Sequence, residues 1–190
     1  MKREDSITAV ILAGGKSSRM GSDKAFLNLG TDTMIGELIS RLKKTFTEII
    51  IIAEDVKKYE RFGLEVFGDI LPDKGPLGGI YTALMRSGTF SNFIFACDAP
   101  FVDLDLIRYM IDKAEGADIV VPRHDGVFEP LCAIYSKRCI EPIEKRFVAD
   151  DLKVTGFFPE VNVDSVDADG RIFTNINTRD DYHAVVESVT

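Results

Sequence analysis

Four short apolar runs punctuate the chain: Ile7–Leu12, Ile49–Ile52, residues 93–96 and residues 119–121. They are rich in β-branched residues and nearly continuous rather than alternating, as strands buried on both faces require. Between them, apolar positions recur at helical spacing. Ile35, Leu38, Ile39 and Leu42 make one stripe; Leu104, Ile107, Ile111 and Ala114 make another, with Asp103 placed to cap it. Residues 77–85 repeat that spacing, and Thr178-Arg179-Asp180-Asp181 has the form of a capping box opening a last helix through about Glu187. Strand–helix alternation predicts a three-layer α/β/α sandwich around a mostly parallel, Rossmann-like sheet. No repeat or linker breaks the pattern, so residues 1–190 read as a single domain. Ligands of such sheets bind beyond the carboxyl ends of the strands. Residues directly following the apolar runs are therefore where chemistry is expected.

Charge narrows the partners. With 23 Lys+Arg against 31 Asp+Glu the net charge is −8, which disfavours a phosphate polymer and so excludes nucleic acid as the expected partner. A small phosphorylated substrate needs only a few local cations and amides. Cys97, Cys132 and Cys139 form no C-x-x-C pair and no zinc spacing, so they read as small hydrophobes in a reducing compartment. The run after Lys2-Arg3 is too short to span a bilayer, and Glu4 and Asp5 interrupt any resemblance to a secretory signal. A cytoplasmic protein without membrane partners is expected.

The first run opens into Ala13-Gly14-Gly15-Lys16-Ser17-Ser18-Arg19-Met20-Gly21-Ser22-Asp23-Lys24. Glycines let backbone N–H groups approach an anion closely, and Arg19 and Lys24 add charge-assisted donors, so the loop resembles a polyphosphate cradle; an ordinary glycine-rich connection with solvated charges is the alternative. It is neither a P-loop nor a G-x-G-x-x-G turn. The string from Leu12 to Lys24 resembles the opening motif of the nucleotidyltransferases related to molybdenum cofactor guanylyltransferase, within the nucleotide-diphospho-sugar transferase type of fold. That resemblance implies GTP contacts from Leu12, Ala13, Gly14, Gly15, Arg19 and Lys24, with the lysine neutralising triphosphate charge.

Residues 64–67 lead into Gly68-Asp69-Ile70-Leu71-Pro72-Asp73-Lys74-Gly75-Pro76-Leu77-Gly78-Gly79, whose four glycines and two prolines make a shaped loop entering a helix. The resemblance implies a GTP contact from Asp69 and loop architecture from Gly75, Gly78 and Gly79. After the next run comes Ala96-Cys97-Asp98-Ala99-Pro100-Phe101. A carboxylate there suits Mg²⁺, which takes one or two carboxylates plus substrate phosphates and water; it equally suits an Asp bonding its own turn. The Cys-Asp-x-Pro-Phe context is similar to the family's metal motif and implies Asp98 as the Mg²⁺ ligand. No histidine motif makes Cys97 a nucleophile; His124 and His183 read as structural or surface residues.

Glu129-Pro130-Leu131-Cys132-Ala133-Ile134-Tyr135 reads as a loop entering a buried strand and resembles the family segment near the acceptor site, with Glu129 left to solvent. Asn175 and Asn177 share a face if extended and serve either the pocket or a cap. In one place the chain departs from the family: Ile52-Ala53-Glu54 stands where an asparagine is commonly offered to the base. The resemblance implies a Mg²⁺-dependent transfer of GMP from GTP to molybdopterin or the molybdenum cofactor, with cofactor-delivering or acceptor molybdoenzymes as further partners. Cytidylyl or sugar-1-phosphate transfer, or a non-catalytic nucleotide-binding regulator, is the alternative.

Overall fold

The computed structural model describes residues 4–13, 24–28 and 32–173; of Lys24, Arg171 and Ile172 only the backbone is described. Eight strands form one sheet, in the order β3-β2-β1-β4-β7-β5-β6, with β8 also paired to β5. They are β1 (Ile7–Leu12), β2 (Ile49–Ile52), β3 (Glu65–Phe67), β4 (Ser91–Ala96), β5 (Ile119–His124), β6 (Val127–Phe128), β7 (Cys132–Ser136) and β8 (Val163–Asp167). β3, β2, β1 and β4 are mutually parallel. β7 runs antiparallel to both β4 and β5, so β5 and its parallel neighbour β8 point the same way as β4. The mostly parallel α/β architecture expected from the hydrophobic pattern is what the chain adopts.

The continuous apolar runs are needed because both faces of the sheet are covered. In β2 successive side chains alternate between layers: Ile49 and Ile51 join the core beneath α1 (Met34–Leu42) and α4 (Leu104–Asp112). Ile50 and Ile52 join the core beneath α3 (Gly75–Arg86) and α5 (Ile140–Val148). A short α2 (Val56–Tyr59) follows β2. On the α1/α4 side Phe46 meets the stacked pair Phe93 and Phe95 edge-on, both at 5.9 Å between centroids, and all three rings are buried. Aromatic pairs of this kind contribute about 0.5–1.5 kcal/mol beyond the area they bury.

Both predicted helical stripes face the core. Ile35, Leu38, Ile39 and Leu42 of α1 are buried, and so is Ile107 of α4. Asp103 caps α4, its carboxylate accepting from Asp105 N at 2.7 Å and Leu106 N at 3.2 Å. Replacing Asp103 with Ala is expected to remove about 1 kcal/mol of stability. That should appear as a fall of about 2–4 °C in the thermal midpoint; an unchanged midpoint would remove the cap from the account of α4. The predicted last helix after Thr178 lies outside the described residues.

Candidate active site

The parallel strands end in step. Leu12 is level with Ile52 and with Ala96, and Ile52 with Phe67. The ladder continues one residue further: Ala13 N donates to Ile52 O at 2.8 Å, Ala53 N to Phe67 O at 3.0 Å and Cys97 N to Leu12 O at 3.2 Å. Four chains therefore leave the sheet at one rigid edge, carrying Ala13, Glu54, Asp69 and Asp98. Ala13 is buried, and Leu12 is partly buried under the first turns of α3. A Cβ on Gly79 would lie 3.1 Å from Leu12 Cδ2, so glycine there lets α3 settle against the end of β1. Gly14, Gly15 and Arg19 lie outside the described residues. Lys24 opens a 3-10 turn, Lys24–Phe26, at the far end of that loop. The turn is anchored by buried Ala25 and by Phe26, whose ring lies 5.2 Å from Tyr59 and under Arg61 at 4.5 Å.

Asp69 stands exposed at the edge, yet its carboxyl is shielded enough by the loop that burial raises its pKa. A hydrogen bond from Thr82 opposes that rise, and the negative charge of Glu54 adds to it. Thr82 Oγ1 donates to Asp69 Oδ1 at 3.4 Å and accepts from Ile70 N at 3.0 Å. Asp98 is half-buried in the turn after β4, where Ala99 N donates to Ala96 O at 3.3 Å and Pro100 is buried. Among the described residues no group of three His, Cys, Asp or Glu side chains is arranged to hold a metal. The hard carboxylate of Asp98 fits Mg²⁺, whose remaining ligands are ordinarily phosphate oxygens and water.

The second half of the edge belongs to β5, β6 and β7. Because β7 runs backwards, its beginning faces the crevice. Residues 129–131 bridge the two neighbouring strands: Glu129 N donates to Pro122 O at 2.9 Å and Ala96 N to Leu131 O at 3.0 Å. Tyr135, buried in β7, donates its hydroxyl to Pro130 O at 2.7 Å and holds the same segment from below. Glu129 is not left to solvent as expected from sequence: its Oε1 lies 2.7 Å from His124 Nε2, and the imidazole stacks on Phe173 at 5.7 Å. His124 is held by these two contacts, while His183, Asn175 and Asn177 lie outside the described residues. Burial pushes the Cys132 and Cys139 thiols up to about 12, with the charges of Glu129 and Asp118 adding to the effect. Cys132 keeps some surface as a residue, but neither thiol supplies a thiolate near neutral pH.

Two interactions at this edge are not legible in the local sequence pattern. Thr82 was hidden in an apolar helix, although a hydroxyl at a core-facing position signals a required partner. The His124–Glu129 pair is hidden by direction: the Asp125-Gly126 turn reverses the chain into β6 and brings position 129 back beside the end of β5.

Loops that start together at the carboxyl edge of a parallel half-sheet, with Glu54, Asp69 and Asp98 among their first residues, are the arrangement of the ligand-binding α/β class. Within it, the chain belongs to the MobA-like NTP transferase family, whose model matches residues 9–157, and it is a nucleotidyltransferase. It is 42% identical to a protein of Pelotomaculum thermopropionicum named "probable molybdenum cofactor guanylyltransferase", over 92% of this chain and 89% of that one. A relative of the same name from Clostridium perfringens is 38% identical over 95% of this chain and 96% of its own. In fold it is similar to molybdopterin-guanine dinucleotide biosynthesis protein A of Archaeoglobus fulgidus, with a TM-score of 0.80 at 24% identity, covering 96% of this chain and 98% of that one. Among the described residues no helix is long and apolar enough to cross a membrane.

Proposed function

We propose that the protein transfers GMP from GTP to the terminal phosphate of molybdopterin or its molybdenum-bound form, yielding the guanine dinucleotide cofactor and pyrophosphate. The observation that carries this reading is the convergence of Ala13, Asp69 and Asp98 on one edge, in a chain whose relatives bear the guanylyltransferase name. We take residues 1–190 as one nucleotidyltransferase domain working in the cytoplasm, with no nucleic-acid or membrane partner, that receives or passes on its cofactor through other proteins.

The acceptor is a phosphate monoester, whose second pKa near 6 leaves it largely dianionic at neutral pH. It needs little help from a general base. One of its oxygens bonds to the α-phosphorus of GTP as the bond from that phosphorus to the bridging oxygen breaks, and the electron pair leaves with pyrophosphate. Leu12, Ala13 and the Gly14-Gly15 amides place the triphosphate, while Arg19 and Lys24 offset charge on the departing group. Asp69 accepts a hydrogen bond from the nucleoside. Asp98 would hold Mg²⁺, which when bound supplies charge neutralisation at the phosphate oxygens.

Base choice tests the reading directly. Pyrophosphate release with molybdopterin as acceptor is expected to favour GTP over CTP by on the order of 100-fold in kcat/KM, because a site that hydrogen-bonds one base leaves polar groups unpaired with another. Turnover with CTP equal to or faster than GTP sinks the guanylyl assignment, and the product mass identifies the transferred nucleotide.

A further inference from the structure

Thr82 lies on α3, one turn beyond Gly78 and Gly79, on the stretch of helix packed beneath the loop that carries Asp69. It is fully buried, and its surroundings on α3 are apolar: Leu77, Ile80, Ala83 and Leu84 are buried with it. A hydroxyl in such a place costs free energy unless it is bonded. Thr82 is bonded twice, and the two bonds fix each other. Ile70 N–H can only donate, so at 3.0 Å it occupies an acceptor site of Oγ1. The hydroxyl has one proton, and that proton is then directed to Asp69 Oδ1 at 3.4 Å.

We propose that Thr82 is a positioning residue for the donor nucleotide, tying the Asp69–Ile70 corner to α3 and holding one carboxylate oxygen of Asp69 so that the other is presented to the nucleoside. The proposal rests on the reading of Asp69 as a nucleotide contact. One buried side chain thus governs two properties of that corner: its place, through the backbone of Ile70, and the orientation of its carboxylate. The same bond favours the ionised form of Asp69 and works against the burial and the Glu54 charge that disfavour it.

The test compares Thr82→Val, which keeps the shape and loses the hydroxyl, with Thr82→Ser, which keeps the hydroxyl, and with Thr82→Ala and Asp69→Asn. GTP binding is measured by calorimetry at saturating Mg²⁺ across pH, with KM and kcat for GTP and a thermal midpoint for each protein. Thr82→Val and Thr82→Ala are expected to weaken GTP binding about tenfold, the scale of one hydrogen bond to a charged group. KM should rise and kcat change little, while Thr82→Ser stays within about twofold of the parent. Without the hydroxyl the Asp69 carboxyl loses what held its pKa down. The acid side of the binding profile should therefore move to higher pH in the Val and Ala variants and stay in place for Ser. A hydroxyl that merely fills the core would alter the midpoint without moving that limb. Weak binding by Asp69→Asn with parental binding and an unmoved limb in Thr82→Val and Thr82→Ala overturns the Thr82 assignment alone. Parental binding by Asp69→Asn overturns the Asp69 contact and the Thr82 role with it.

Discussion

Asp98→Asn is expected to cut pyrophosphate release by on the order of 100-fold or more while the protein stays folded. The amide keeps the size and most of the hydrogen-bonding capacity of the side chain but lacks the charge that would hold a cation. Stabilisation of phosphoryl charge by a bound metal amounts to several kcal/mol, and each 1.36 kcal/mol or so is a factor of ten in rate. The position makes the substitution clean. Asp98 follows β4 in a turn closed by the Ala99–Ala96 backbone bond and by buried Pro100, both of which the substitution leaves in place. The comparison is Asp98→Asn against parent over a Mg²⁺ titration, with thermal unfolding alongside. Near-parental activity at an ordinary Mg²⁺ requirement removes Asp98 from the metal site.

Lys24→Ala should be nearly as damaging, by a different route. A charge-assisted hydrogen bond to phosphate is worth about 1.5–3 kcal/mol, so kcat/KM for GTP should fall by roughly 10- to 150-fold. The variant is expected to stay folded. The turn that Lys24 opens is fixed by its neighbours Ala25 and Phe26, which lie in the α1 core and against Tyr59, Phe62 and Arg61. Lys24→Arg separates charge from shape, since it restores the cation with a different reach. Activity of Lys24→Ala within twofold of the parent would falsify the phosphate cradle.

The parallel half of the molecule was legible in the residues because its signals are local. Isoleucine run, glycine loop, capped stripe: each element announces itself within a dozen positions, and the order of elements then dictates which loops share an edge. β2 matches its expected limits, and Asp103 caps the helix it was expected to cap. The other half was less legible because strand direction is not written in hydrophobicity. Residues 132–136 make the same buried strand whichever way they run. The signal that did exist was the turn: Asp125-Gly126, with φ of 48° and 80°, is the dipeptide that closes a tight hairpin, and it reverses the chain between β5 and β6. Glu129 was misjudged for this reason, since its partner lies across that hairpin. Thr82 was missed because helical spacing marks which face is buried, not which buried hydroxyl has a partner. Asp69 is a candidate through the family resemblance, and Asp98 through its place after an apolar stretch together with that resemblance.

The backward course of β7 also divides the labour of the chain. The loops proposed to meet the triphosphate follow strands that run forward, whereas residues 129–131 reach the same edge ahead of a strand travelling the other way, through a hairpin with its own backbone bonds. Remodelling of that hairpin leaves the Ala13–Ile52, Ala53–Phe67 and Cys97–Leu12 bonds in place, and needs only the carbonyl of residue 131 kept for Ala96 N. On the proposed function, nucleotide activation and acceptor choice then fall to separate segments of the chain. Grafting segment 123–131 between relatives with different acceptors is the substitution that such an arrangement tolerates best.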